Sequence, residues 1–421
     1  MPVSGRVQVQ PATEAKRAPV PELAKLRSAA AVRERCGMVY RWVADGRSPH
    51  FTLDESRLDA VAAYVADVTR EAYPDLKIPY HSRWRHFSVG GVDRWNTLAA
   101  QLDVDSIERA RIAFDLATVS VLLDAGAGDA WRYREGDRSF GRSEGLAVAS
   151  LDMFRAGLFS SDTRHPHRVD SAALANIDVA TLAQHLQVDA KNPLVGLEGR
   201  SALLRRLGQA LADRPDLFGG APARPGNLVD YFRDIDKSRI AASTVLAALL
   251  DGLSAIWPSA LMLNGFAVGD AGRHPAVRIG DDTDEIVPFH KLSQWLTYSL
   301  LEPLETAGLV VERLDELTAL AEYRNGGLLV DLGVIRPRAA IEPQPRHEVS
   351  SELIVEWRAL TVALMDSLVA PVRTRLGLDR GFAMPHMLQG GTWTAGRKIA
   401  RELRPPDGPS PIPVAADGTV F

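Results

Sequence analysis

One cysteine, Cys36, is all that the 421 residues provide, so no intrachain disulfide can form. That absence fits a reducing, cytoplasmic setting. No apolar run reaches the roughly 20 residues needed to cross a bilayer, and the opening MPVSGRVQVQ lacks the apolar core of a secretion signal. Neither sign of charge is in large excess: 49 Lys and Arg against 53 Asp and Glu give a formal net charge of −4, which offers no electrostatic case for nucleic-acid binding. No HExxH, cysteine pair or acidic EF-hand loop occurs, and His165 and His167 flank Pro166 without a third residue at ligand spacing. No metal and no cofactor are therefore expected. Repeats of roughly 20–50 residues are missing too, which argues against a string of modules. These absences leave a soluble protein without nucleic-acid or membrane partners.

What is present suits a large core: 46% of residues are hydrophobic and 24% charged. Residues 1–22 read as a loose arm containing Pro11, Pro19 and Pro21, followed by a helix from Leu23 through Trp42. Thr52-Leu53-Asp54-Glu55 has the form of a capping box opening a helix towards Ala72. From Ser106 to Leu123 the residues Ile107, Ala110, Phe114, Ala117 and Leu122 mark one broad apolar face. Ser143 is the expected N-cap of the next helix. The stretch 172–258 is almost wholly helical, and 260–287 the least so, with strand-like pieces at 265–268 and 277–279. Ser351 to Leu376 predicts a long helix, and beyond Arg404 proline and glycine enforce an extended tail whose last residues, Asp417–Phe421, are apolar enough to dock. The expected fold is mainly α, a single large helical domain over 23–421 with a few short strands.

Three stretches carry chemistry. Pro79–Trp95 interleaves Arg83, Arg85 and Arg94 with Tyr80, Trp84, Phe87 and Trp95, and adds His81 and His86. Arginine forks grip phosphate or carboxylate and flat rings can sandwich a planar group. The same pattern also describes a loop whose aromatics pack inward while its arginines reach solvent. The second stretch, Asp124-Ala-Gly-Ala-Gly128, follows a helix and not a strand, so its Gly-x-Gly reads as a helix end and not a nucleotide loop. Glu144 behind it suits a helix start. The third, Ile286–Ile335, is the most unusual. Pro288 suits a first helical turn that also carries His290 and Lys291, where a cation costs about 0.3–1 kcal/mol. Downstream, Asp315 can cap a short helix that reads through Arg324 and stops at Asn325-Gly326-Gly327, leaving Glu322 in its last turn. Neither Lys291 nor Glu322 has an opposite charge three or four residues away. They are either solvated surface charges or partners across the fold.

The segments RWRHFSVGGVDR, VSVLLDAGAGDAWRY, RSEGLAVASLDMF, NPLVGLEGR, VPFHKLSQWLTYSL, AEYRNGGLLVDLGV and AADGTVF resemble the uracil-catabolism family of the URC pathway over nearly the whole chain. That resemblance implies a pathway in which uracil, as its nucleotide, is opened to a ribosylurea that must later release urea. More distantly, Phe289–Gln294, Leu317-Thr318, Ala321–Arg324 and Leu332–Ile335 are similar in order to the queuosine-salvage N-glycosidases. Those enzymes imply a helical fold like that of DNA glycosylases and metal-free hydrolysis of a ribosyl–base bond, with an important lysine and acid falling on Lys291 and Glu322. The family has Asp where this chain has Glu322, and Val-Pro-Gln where it has Asn325-Gly326-Gly327, so the base pocket must differ. The combined expectation is an N-glycosidase acting on N-ribosylurea as its 5'-phosphate. Glu322 would stabilise the cationic sugar and activate water. Lys291 would fix the phosphate at a helix N-terminus or protonate the leaving ureido group. Arg83, Arg85 and Arg324 are the expected recognition groups, Trp84 and Tyr323 the pocket lining, and Asp124 and Glu144 second-choice acids or ribose ligands. His86, His290 and Gln294 complete the expected substrate-binding set. The alternative is a non-catalytic helical protein that senses a uracil-derived nucleotide or ureide.

Overall fold

Two helices buried on every side for most of their length run against each other through the middle of the protein. In the computed structural model, which describes residues 21–415 apart from 125, 129, 258–260 and 342–344, these are the helices beginning at Ser106 and Lys291. Most of the arm expected at 1–22, and the docking expected of Asp417–Phe421, lie outside the described residues. The longer helices are α1 (Ala29–Ala44), α2 (Leu58–Ala72), α3 (Ser106–Leu122), α4 (Arg142–Arg155), α5 (Leu197–Asp213), α6 (Ala242–Leu253), α7 (Lys291–Thr306), α8 (Tyr323–Asp331), α9 (Glu352–Leu376) and α10 (Trp393–Leu403). Every residue of α3 from Ile112 to Leu122 is buried, as is every residue of α7 from Leu292 to Leu301. A helix buried all round belongs at the centre of a protein. α9 packs on α1 and α2, and α8 lies against α10. The fold is mainly α.

Strands occur only as short pairs among the described residues. The pair that matters for the site is an antiparallel hairpin, β1 (Ala271–Arg273) and β2 (Ile286–Pro288), with Ala271 opposite Pro288. No helix among the described residues is long and apolar enough to cross a membrane.

Several local expectations are corrected. The helix expected from Leu23 to Trp42 breaks at Ser28, whose hydroxyl oxygen accepts from the Ala31 N–H at 3.1 Å and so starts α1. Thr52 caps nothing: it lies in a strand opposite Arg336, and α2 begins at Leu58. The single apolar face expected on α3 is too narrow a reading, because from Ile112 to Leu122 the helix is buried on every side, with α7 among its neighbours. Ser143 is not an N-cap; the helix starts at Arg142 behind a hairpin of Arg132–Glu135 with Arg138–Gly141. Pro288 ends β2 and does not open a helical turn, and no strand forms at 277–279. The long helix expected from Ser351 is α9, with Ser351 as its N-cap.

Candidate active site

Lys291 is the first residue of α7 and only part of it reaches solvent. The turn that delivers it is bent: His290 sits at φ 48°, ψ 37°, a left-handed conformation uncommon for a non-glycine residue. The bend is held by Asp270. Its carbonyl oxygen accepts from the N–H groups of Phe289 (2.9 Å) and His290 (3.1 Å), and its carboxylate accepts from the Lys291 N–H at 2.9 Å. Asp270 thus supplies the anion that a helix N-terminus favours. The His290 ring is buried and turned away, bonding through Nε2 to the carbonyl of Leu26 at 2.9 Å.

Glu322 arrives from a different segment. Tyr298 on α7 donates to the carbonyl of Thr318 at 2.6 Å, and Gln294 accepts through Oε1 from the Thr318 N–H and hydroxyl, at 3.1 and 2.8 Å. These bonds dock residues 317–320 along the helix that begins with Lys291. Glu322 then serves as the N-cap of α8, its carboxylate accepting from the N–H groups of Arg324 (2.7 Å) and Asn325 (2.6 Å). The placement expected for Glu322, in the last turn of a helix, is thus reversed. Asn325-Gly326-Gly327 is no stop signal but the buried first turns of α8. A Cβ on Gly326 would lie 2.7 Å from Trp357 Nε1 and 2.6 Å from Thr361 Oγ1, so glycine is needed for close packing on α9.

The two charges feel each other. Burial pushes the Lys291 ammonium below the ordinary lysine range; Glu322 is the strongest opposing influence, Arg358 adds to the lowering, and Asp124 and Asp270 oppose it. Burial likewise raises the Glu322 carboxyl above its ordinary value, against the two helical N–H groups, Lys291 and Arg324. A carboxylate oxygen has two lone-pair directions, so the capping bonds leave one free on each oxygen.

Asp124, just past the end of α3, also favours the charged form of Lys291. It pairs with Arg83 at 2.8 Å and accepts from the Ser143 hydroxyl at 3.0 Å. Arg83 is wholly buried; its Nε donates to Ser120 at 2.7 Å and its Nη1 to the Ser143 carbonyl at 3.2 Å and His86 Nδ1 at 3.3 Å. Its guanidinium lies 5.6 Å from the ring centre of Trp295, one turn along α7 from Lys291. His81 and His86 both lie within 6.3 Å of the Trp295 and Trp393 rings. Arg397 covers Trp393 at 4.7 Å and reaches Glu144 at 3.3 Å. Arg324 donates to the carbonyl of Gly408 at 2.9 Å and stacks on Tyr323.

The remaining expected residues have structural partners. Trp84 is buried against Phe87 and Trp95 and donates to the Ser299 carbonyl at 2.7 Å. Arg85 pairs with Glu302 at 2.7 Å. The Gln294 amide is spent on Phe289 and Thr318. Open clefts of about 390 and 260 Å³ elsewhere on the protein are lined by neither Lys291 nor Glu322. Sequence reasoning missed Asp270 and Arg358, which form a buried two-pronged ion pair at 2.8 and 2.9 Å. Arg358 had a readable signal: it interrupts the apolar run of ELIVEWRALTVALM, and a guanidinium buried in an apolar helix needs a carboxylate.

A family model described as a protein of unknown function, DUF1688, matches residues 25–421. This chain belongs to that family. It is 41% identical over 409 residues to Protein urg3 of Schizosaccharomyces pombe, covering 95% of this chain and 99% of that one. It is 38% identical over 432 residues to Uracil catabolism protein 4 of Lachancea kluyveri, covering 94% and 98%.

Proposed function

We propose that this member of the DUF1688 family works in uracil catabolism as a metal-independent N-glycosidase, hydrolysing the ribosyl C1'–N bond of N-ribosylurea, as its 5'-phosphate, to urea and ribose 5-phosphate. The relatives' name supports the pathway. What supports the reaction is that Lys291 and Glu322 lie close enough to act on each other's charge, burial shifting each towards neutrality and each opposing that shift in the other. Departure of the ureido nitrogen leaves positive charge on the sugar, which the Glu322 carboxylate stabilises. The C1'–N bonding pair goes to nitrogen, where the Lys291 ammonium supplies a proton. Water adds to C1', its proton passing to Glu322 and back to Lys291. Of the two roles open to Lys291, proton donation is preferred to phosphate anchoring. Its backbone N–H is already taken by Asp270, and a lowered ammonium is the better acid.

The test is incubation of the purified chain with N-ribosylurea and with its 5'-phosphate, quantifying urea and free sugar. Stoichiometric urea and ribose 5-phosphate are expected, and Glu322→Gln is expected to slow their release by about 100–1000-fold. A Glu322→Gln protein as active as the parent overturns the assignment. Saturable binding of either compound without turnover favours a sensor of uracil-derived ureides.

A further inference from the structure

The helix α9 touches both halves of the candidate site through one side chain. Arg358 grips Asp270 with both terminal nitrogens, at 2.9 and 2.8 Å, and its Nε faces the Ala321 carbonyl at 3.3 Å. Asp270 in turn holds the N-terminus of α7, and Ala321 immediately precedes Glu322. The guanidinium also lies 4.1 Å over the ring of Phe289, two residues before Lys291. The hairpin that leads to Lys291 is fastened to the same helix at two more points. A Cβ on Gly272 would fall 2.3 Å from Val355, and His274 Nε2 pairs with Glu356 at 2.9 Å, both wholly buried. Ser48 donates to the other oxygen of that glutamate.

Resting on the N-glycosidase reading of the pair, we propose that Arg358 and Asp270 are positioning residues that hold the Lys291 ammonium and the Glu322 carboxylate in register. Arg358 is placed to do more than brace. A fork that bonds a carboxylate and a backbone carbonyl fixes two peptide segments with one rigid plane, which lysine cannot copy. The two members of the clamp also act on Lys291 with opposite sign: Arg358 disfavours its charged form and Asp270 favours it. The other charges facing Lys291 are Glu322 and Asp124, which both favour it.

The experiment compares the parent with Arg358→Met, Arg358→Lys and Asp270→Asn in the full chain. Each variant is first shown to unfold cooperatively. Acetylation of Lys291 by acetic anhydride is then followed against pH by peptide mass spectrometry, a readout that needs no substrate. The midpoint is expected to rise by about 1 pH unit in Arg358→Met and to fall by about 1 in Asp270→Asn. In parallel, ureide hydrolysis by Arg358→Met is expected to lose about 100-fold in kcat with KM little changed, as for a misplaced catalytic group. Arg358→Lys should restore part of it. Unmoved or same-direction midpoints in folded variants overturn the proposal. Opposite midpoint shifts in a parent that hydrolyses no ureide keep the clamp and remove the N-glycosidase reading.

Discussion

At the scale of single residues, the site is a lysine and a glutamate whose environments push their protonation in opposite directions. Burial raises the Glu322 carboxyl and lowers the Lys291 ammonium. The reaction proposed here needs glutamate ionised and lysine charged. Activity therefore rises with pH as Glu322 loses its proton and falls again as Lys291 loses its own. The two limbs lie closer together than for the free side chains. Measured kcat/KM against pH should be a bell, lacking its acid limb in Glu322→Gln and its alkaline limb in Lys291→Met. Glu322→Gln should lower kcat by about 100–1000-fold, the usual cost of one lost group that stabilises developing charge. Its stability cost should be small, about 1 kcal/mol, because the amide oxygen still caps one N–H of α8. A large drop in melting temperature with little loss of rate would make Glu322 a cap and nothing more.

At the scale of elements, α8 is a short helix whose placement depends on absent side chains. Gly326 lets it touch Trp357 and Thr361 of α9, and Gly396 of α10 lies where a Cβ would come within 2.3 Å of the Arg324 carbonyl oxygen. Alanine raises helix propensity by about 1 kcal/mol over glycine, but overpacking costs about 1–3 kcal/mol. Gly326→Ala is thus expected to be net destabilising in denaturant melts, and Gly396→Ala more so, since its obstacle is backbone. A stabilised Gly326→Ala protein would contradict the packing. The same glycines explain what could and could not be read in the sequence. α3, α7 and α9 were legible because their apolar positions run unbroken for several turns. Lys291 was expected in a first turn opened by Pro288; it does begin α7, but Pro288 belongs to the strand before it, so the ground for that expectation failed. Glu322 was placed in the wrong turn because Gly-Gly is a stop signal locally and a packing device only once α9 is in view. Asp270 was invisible: it sits between strands two or three residues long, and its partner lies 88 positions away.

At the scale of the whole molecule, buried charges other than Lys291 and Glu322 hold the elements in place. Asp115 of α3 is fully buried and accepts from Arg224 Nε (2.6 Å) and the N–H groups of Val169 (3.1 Å) and Gly226 (2.7 Å). Asp115→Ala would leave Arg224 with Glu108 alone, at 2.9 Å, and the Val169 and Gly226 N–H groups without their acceptor, and about 1–3 kcal/mol for each stranded buried donor should be lost in denaturant melts. Acid acts on the interior through the histidines. Burial depresses His81 to about 4, with a single opposing bond to Gln389, and lowers His86 well below its ordinary value, aided by Arg83. An unfolded histidine takes up its proton near pH 6.5, so between there and about 4 the unfolded chain binds protons that the folded His81 refuses. The neutral ring's contribution is complete above the unfolded value and is lost as pH falls towards the folded one. Raised carboxyls such as Asp115, pushed up to about 6, act in the opposite direction, so the informative quantity is a difference between proteins. In His81→Asn the amide nitrogen can keep the bond to Gln389 without a titrating ring. Relative to that variant, the parent should lose up to about 1.4 kcal/mol per pH unit between pH 6.5 and 4, measured by urea unfolding. Parallel stability curves for the two proteins across that window would mean that His81 is protonated as readily in the fold as outside it.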